Sequence, residues 1–247
     1  MPIPSSTPET TTDGDAEGLA AARLHGVRTR LTAAAAAASR DPAGITLVAV
    51  SKTQPAEAVA TLARLGQRDF GENYLQEALP KIGALADLKL TWHFIGQLQS
   101  NKTRPVAENF DWVHTVDRVK LAERLAAQRP SHAAALQVCV QVRLDDEPGK
   151  GGVSVAELPS VLAAVAASPR LQLRGLMAIP PAEHSPTAQR RWFAQLARLL
   201  SASRVVHPSM DTLSMGMSGD LESAIAEGST LVRLGTALFG ERLQSGP

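Results

Sequence analysis

The sequence predicts an α/β protein folded as a single (β/α)8 barrel, and three observations carry that expectation. Eight strand-like apolar runs alternate with helical stretches, the pattern of parallel βαβ units. Roughly 230 residues remain after a polar N-terminal tail, the size of one such barrel. The turn after the first strand reads SKTQP, without the glycines that open a doubly wound nucleotide-binding sheet. Periodicity alone leaves a closed barrel and an open sheet as alternatives; the open sheet would usually carry fewer strands.

Residues 1–17 are rich in Ser, Thr, Pro, Asp and Gly, the composition of a disordered tail, so the barrel domain is expected over 18–247. An extra helix over 19–39 precedes the first strand: Ala and Leu dominate it, Arg is interspersed, and Asp41, Pro42 and Gly44 stop it. The first strand, TLVAVS (46–51), runs straight into Lys52, and the chain breaks at Pro55. A helix over 55–65 leads to RDFGE (68–72), one over 74–85 to TWHFIG (91–96), and one over 101–109 to WVHTVD (112–117). A helix over 118–128 precedes LQVCVQVRL (136–144), and one over 154–167 precedes LRGLMAIP (173–180). Helices over 186–203 and 220–227 flank TLSMGM (212–217), and TLVRLGTALFG (230–240) completes the series as an eighth strand. No internal repeat or linker divides the chain.

A hydrophobic fraction of 44% suits a sizeable globular core. The 25 Lys and Arg against 24 Asp and Glu give a net charge of +1, which builds no field for nucleic acid or an anionic membrane. No apolar stretch approaches a membrane span, and the N-terminus lacks the basic and apolar regions of a signal peptide, so a cytoplasmic protein is expected. The single cysteine, Cys139, cannot form an internal disulfide and reads as a small buried hydrophobe.

In a barrel the C-terminal ends of the strands form the active face. Lys52 stands at the end of the first strand, where an unpaired ammonium is costly to bury. That placement makes it a candidate nucleophile or carbonyl trap, able to form a Schiff base with an aldehyde. SMGMSGDLESA (214–224) runs from a strand through small residues into a helix, leaving N–H groups and hydroxyls for an anion. The eighth strand adds Arg233, Gly235 and Thr236, and loops after strands seven and eight are the usual phosphate-binding place in these barrels.

Other motifs point to no chemistry. GQLQSNKT (96–103) has the spacing of a phosphate-binding loop, except that Asn101 replaces its second glycine and obstructs the wrap around a phosphate. His93 and His114 lie inside strands and read as hydrogen-bonded core residues. The His, Cys, Asp and Glu spacings resemble no metal site. Asp145 and Asp146 sit in the loop DDEPGKGGV with Lys150, which could approach a phosphate.

With Lys52, FGENYLQEA (70–78), WHFIGQLQSNK (92–102), GLMAIP (175–180), SMGMSGDLESAI (214–225) and VRLGTALFG (232–240) in place, the chain resembles the pyridoxal phosphate homeostasis proteins, relatives of the N-terminal barrel of alanine racemase. The similarity covers about residues 20–243 and keeps the motifs in order at separate strand ends. The resemblance implies pyridoxal 5'-phosphate as cofactor, held as a Schiff base by Lys52. It implies a phosphate held by Ser218, Gly235 and Thr236, with Arg233 facing the pyridine nitrogen. Asn73 would lie by the cofactor, and Lys150 matches a loop lysine linked to cofactor transfer, although DDEPGKGGV departs from the expected Ser/Asn-rich loop.

An arginine cannot give up its proton, so it hydrogen-bonds a pyridine nitrogen that is itself unprotonated. That weakens the ring as an electron sink. The leading expectation is therefore a carrier without robust catalysis, a monomer that holds pyridoxal phosphate and delivers it to apo-enzymes. The alternative, an amino-acid racemase, needs acid/base groups on both faces of the substrate carbon. In alanine racemase the second is a tyrosine from another domain of a partner subunit, whereas this sequence stops soon after the eighth strand and its one tyrosine is Tyr74. A third reading, an interaction module on a vestigial barrel, predicts that Lys52 is dispensable for cofactor binding.

Overall fold

The computed structural model describes residues 13–145, 151–183 and 185–240. Eight parallel strands close on themselves in chain order. They are β1 (Thr46–Val50), β2 (Asp69–Glu72), β3 (Thr91–Phe94), β4 (Trp112–Val116), β5 (Leu136–Gln141), β6 (Leu171–Met177), β7 (Thr212–Ser214) and β8 (Leu231–Leu234). Four residue pairs, Thr46 with Leu231 through Ala49 with Leu234, join β1 to β8 and settle the choice between open sheet and barrel.

The helices fall where apolar periodicity places them: α2 (Ala56–Arg64), α3 (Leu75–Ala84), α4 (Thr103–Asn109), α5 (Val119–Gln128), α6 (Leu158–Ala166), α7 (Pro186–Arg204) and α8 (Leu221–Ala226), all after α1 (Asp13–Ala37). Several boundaries shift by up to four residues, β5, β6 and β7 among them ending about three residues early, and two differ by more. Residues 13–17, assigned to a tail, form the opening of α1. Their side chains from Asp15 onward are exposed and acidic residues suit a helix N-terminus, so the lack of apolar residues there marks a solvated first turn. The eighth strand ends at Leu234, and Thr236–Phe239 is a helical turn, α9, in which Leu238 and Phe239 donate to the Gly235 carbonyl. A short apolar run such as TALF does not distinguish strand from helix.

The pleat sorts side chains into two buried shells. Leu47, Ala49, Phe70, Trp92, Phe94, Val113, Val138, Leu176, Leu213, Val232 and Leu234 face outward and belong to the main apolar cluster with helix residues such as Val59, Leu62, Leu125 and Leu196. Burying each large aliphatic or aromatic side chain contributes about 1.5–3 kcal/mol. The alternate positions point into the barrel. Val48, Cys139, Met177 and Leu231 are buried there outside that cluster, together with His93, His114, Ser214 and Arg233. Cys139 is fully buried, and burial pushes its thiol up to about 12, so it behaves as a hydrophobe. No described helix is long and apolar enough to cross a membrane.

Candidate functional site

Lys52 lies two residues beyond β1, partly buried, between neighbours that are both pinned. Behind it, Ser51 donates its N–H to the Gly71 carbonyl at 2.9 Å. Its hydroxyl donates to Glu72 Oε1 at 2.7 Å, and its carbonyl accepts from Lys81 Nζ at 2.8 Å. Lys81 also pairs with Glu72 Oε1 at 2.6 Å, and both side chains are buried. Burial pushes the Glu72 carboxyl up, and the hydrogen bonds from Lys81 and Ser51 pull it back. Ahead, Thr53 has φ of +63°, a left-handed conformation that a β-branched residue rarely adopts and that costs about 1–3 kcal/mol. Its N–H donates to Glu77 Oε2 at 2.7 Å, which holds the turn. The Lys52 ammonium has no ion-pair partner among the described residues.

Two further strand ends complete the cavity, of about 320 Å³, lined by Lys52, Ser218, Gly219, Arg233, Gly235 and Thr236 among others. After β7, Gly216 turns at φ of +98°, and a Cβ there would lie 2.6 Å from that of Ala224, so only glycine fits. Asp220 accepts from the Met217 N–H at 2.6 Å, and Arg30 of α1 donates to the Ser218 carbonyl at 2.9 Å while pairing with Glu222. The hydroxyls of Ser218 and Thr236, and the backbone N–H groups of Ser218, Gly219 and Thr236, engage no other described residue. This is a set of free donors, suited to an oxyanion.

Arg233 occupies the inner wall. It is 5% exposed, donates to Ser214 Oγ at 2.6 Å and to the Ala178 carbonyl at 3.2 Å, and has no carboxylate in direct contact among the described residues. Burial lowers its guanidinium to about 10, partly offset by the charge of Asp220, so it stays cationic at neutral pH. A buried cation with spare donors and no anion in contact suits an acceptor supplied by a ligand.

The structure thus brings Lys52, Ser218, Arg233, Gly235 and Thr236 to one cavity. Asn73 lines a second, larger one of about 520 Å³ with Tyr74, Phe94, Gly96 and Lys102. Its Oδ1 is buried and has no hydrogen-bond partner among the described residues. Lys102 in that second cavity is exposed, and no buried cation lines it, so the smaller cavity is the better reactive centre. Lys150 and Asp146 lie outside the described residues. Residues 96–103 form no phosphate loop: Leu98 is buried, and a Cβ on Gly96 would sit 2.1 Å from the Asn73 carbonyl oxygen. Among the described residues, no group of three or more His, Cys, Asp or Glu could hold a metal.

Sequence reasoning missed Lys81, Glu77, Arg30, Asp220 and Ser214. Lys81, Glu77, Arg30 and Ser214 support the site from other elements, whereas Asp220, directly before α8, holds the Met217 N–H from three positions away. The one available clue was Lys81, a lysine spaced to return from the helix after β2 to the end of that strand.

A closed barrel with a lysine beyond its first strand and free donors beyond its last two defines the class, a (β/α)8 barrel with an amine and oxyanion donors at one mouth. Residues 23–243 match the family described as alanine racemase, N-terminal domain. The chain is 55% identical over 221 residues to the pyridoxal phosphate homeostasis protein of Pseudomonas aeruginosa, covering 90% of this chain and 95% of that one. It is 52% identical over 219 residues to the protein of the same name from Escherichia coli K12, covering 87% and 94%. Among solved structures, PipY of Synechococcus elongatus PCC7942 with PLP bound superimposes with a TM-score of 0.79 at 39% identity, covering 90% of this chain and all of that one. The chain belongs to the alanine racemase N-terminal domain family and, within it, to the pyridoxal phosphate homeostasis proteins.

Proposed function

We propose that the protein binds pyridoxal 5'-phosphate in the Lys52 cavity and serves cofactor homeostasis, holding the aldehyde and releasing it to apo-enzymes. The observation that carries this reading is the convergence of a lysine, a buried unpaired guanidinium and free oxyanion donors on one cavity. The cofactor supplies an aldehyde, a pyridine nitrogen and a phosphate, and these residues complement all three. Lys52 would hold the cofactor through its amine, and the cofactor would supply a reactive aldehyde there. Ser218, Gly219, Gly235 and Thr236 hold the phosphate, and Arg233 donates to the pyridine nitrogen. Asn73 approaches from the β2 end with its unpartnered Oδ1. Lys150 takes part in handing the cofactor on.

The role is carriage rather than catalysis. Arginine leaves the pyridine nitrogen unprotonated, a poor electron sink. Proton transfer on both faces of a substrate carbon needs two groups. Among the described residues, the only ionisable ones lining the Lys52 cavity are Lys52 and Arg233, and Tyr74, 54% exposed, lines the other cavity. The protein acts in the cytoplasm as a monomer, with apo-enzymes as its transient partners.

Loaded protein mixed with an apo-enzyme that requires the cofactor is expected to restore that enzyme's activity, while α-proton exchange of D- and L-amino acids in deuterated water stays at the level of free cofactor. Exchange at the pace of a dedicated racemase, removed by Lys52→Ala, would replace carriage by the racemase reading.

A further inference from the structure

Behind Arg233, a line of polar side chains crosses the interior of the barrel. Ser214 Oγ accepts from Arg233 at 2.6 Å and lies 2.7 Å from His114 Nδ1. His114 Nε2 lies 3.0 Å from His93 Nδ1, and His93 Nε2 lies 3.0 Å from Asp69 Oδ1. The five residues come from β8, β7, β4, β3 and β2, so the line runs from the cofactor face to the floor, where Asp69 is 30% exposed. His93 stacks on Trp112 with ring centroids 5.5 Å apart, and His93, His114 and Ser214 are all buried.

Hydrogen-bond chemistry fixes the direction of this line. The Asp69 carboxylate only accepts, so with both rings neutral the order runs back from it to Ser214, which accepts a hydrogen bond from Arg233 and directs its own hydroxyl hydrogen to His114 Nδ1. His114 accepts there and therefore donates from Nε2 to His93 Nδ1. His93 in turn donates from Nε2 to the Asp69 carboxylate, which only accepts. Each gap then holds one proton, and the line begins on a cation and ends on an anion. Burial, followed by the nearby His93 and Arg233, holds His114 well below the usual imidazole range, in keeping with a neutral ring that accepts at Nδ1.

We propose that Ser214, His114, His93 and Asp69 are positioning residues that form a one-way chain of donors from Arg233 to Asp69, fixing the guanidinium where it meets the ligand's ring nitrogen. Beside the field of Asp220, the chain ties the buried guanidinium to a second carboxylate four hydrogen bonds away, connected through polarisable groups. The proposal rests on the cofactor reading for the identity of the ligand, but the proton order is a property of the ligand-free protein.

The test uses the full chain with 15N-labelled histidine, first without ligand. Long-range proton–nitrogen spectra are expected to show His114 with its proton on Nε2 alone. In Asp69→Ala the chain loses its terminal acceptor, and His114, two hydrogen bonds from the mutation, is expected to become a mixture of tautomers, with pyridoxal phosphate affinity about three- to tenfold weaker. Asp69→Asn keeps an acceptor oxygen and is expected to restore both readouts. A wild-type His114 protonated on Nδ1, or an Asp69→Ala protein with unchanged His114 signals and affinity, overturns the proposal. So does an equal loss of thermal stability in both variants with no change of tautomer, since that is the behaviour of a packing residue. The expected tautomers in a protein that takes up no pyridoxal phosphate support the chain and refute the cofactor reading instead.

Discussion

Lys52→Ala is expected to abolish the covalent adduct with pyridoxal phosphate and the visible absorbance that accompanies it, while leaving the fold intact. Lys52 lies beyond β1, only partly buried, and makes no ion pair with a described residue, so its removal opens no core cavity. Its neighbours are held independently by Glu72, Lys81 and Glu77. The readout need not rely on colour alone. A ligand at one hundred times its Kd stabilises the native state by about 2.7 kcal/mol. For a protein of this size that raises the Tm by roughly 5–10 °C. At the same ligand concentration the variant is expected to show almost none of this shift, because Arg233 and the phosphate donors then act without the imine. A full shift in Lys52→Ala would mean that Lys52 is dispensable for cofactor binding, as the reading of a vestigial barrel predicts.

Lys81→Met is expected to have the largest effect on stability. It leaves the Glu72 carboxylate fully buried with Ser51 Oγ as its remaining partner, and Oε2 already has none among the described residues. Breaking a buried pair from one side costs about 3–5 kcal/mol. For this chain length that is a fall in Tm of roughly 6–20 °C. Removing both charges in Lys81→Met with Glu72→Gln is expected to recover most of the loss, since a buried pair taken as a whole contributes little net stability. In both variants the Ser51 carbonyl loses its ammonium donor and keeps the Gln54 N–H at 3.1 Å, so the turn carrying Lys52 loosens and cofactor affinity stays reduced after stability has recovered. Denaturant melts together with ligand titrations separate the two effects. A cost below about 1 kcal/mol in the single variant would contradict the pairing.

What the sequence revealed follows from the range of the interactions involved. Alternating strand and helix patterns are local, which is why the barrel, its eight strands and the placement of Lys52, Ser218, Arg233, Gly235 and Thr236 at strand ends were legible. The boundaries that failed by the most, at residues 13–17 and after Leu234, are places where composition and a short apolar run are ambiguous. The supports of the site were hidden because they are long-range. Arg30 reaches Ser218 across 188 positions, and His114 meets Ser214 across 100. His93 and His114 could be read as hydrogen-bonded core residues, but only the barrel's closure shows that they join one another and lead to Arg233. Asn73 was read from family resemblance as a neighbour of the cofactor, and the structure gives it an unsatisfied oxygen in an adjoining part of the same face.

The most direct test of the proposed role is reduction of the pyridoxal phosphate-loaded wild-type protein with borohydride, followed by peptide mass mapping. A single pyridoxyl adduct on Lys52, with loss of the visible band, is the expected result. An adduct confined to Lys102 or another exposed lysine, or none at all, would contradict it.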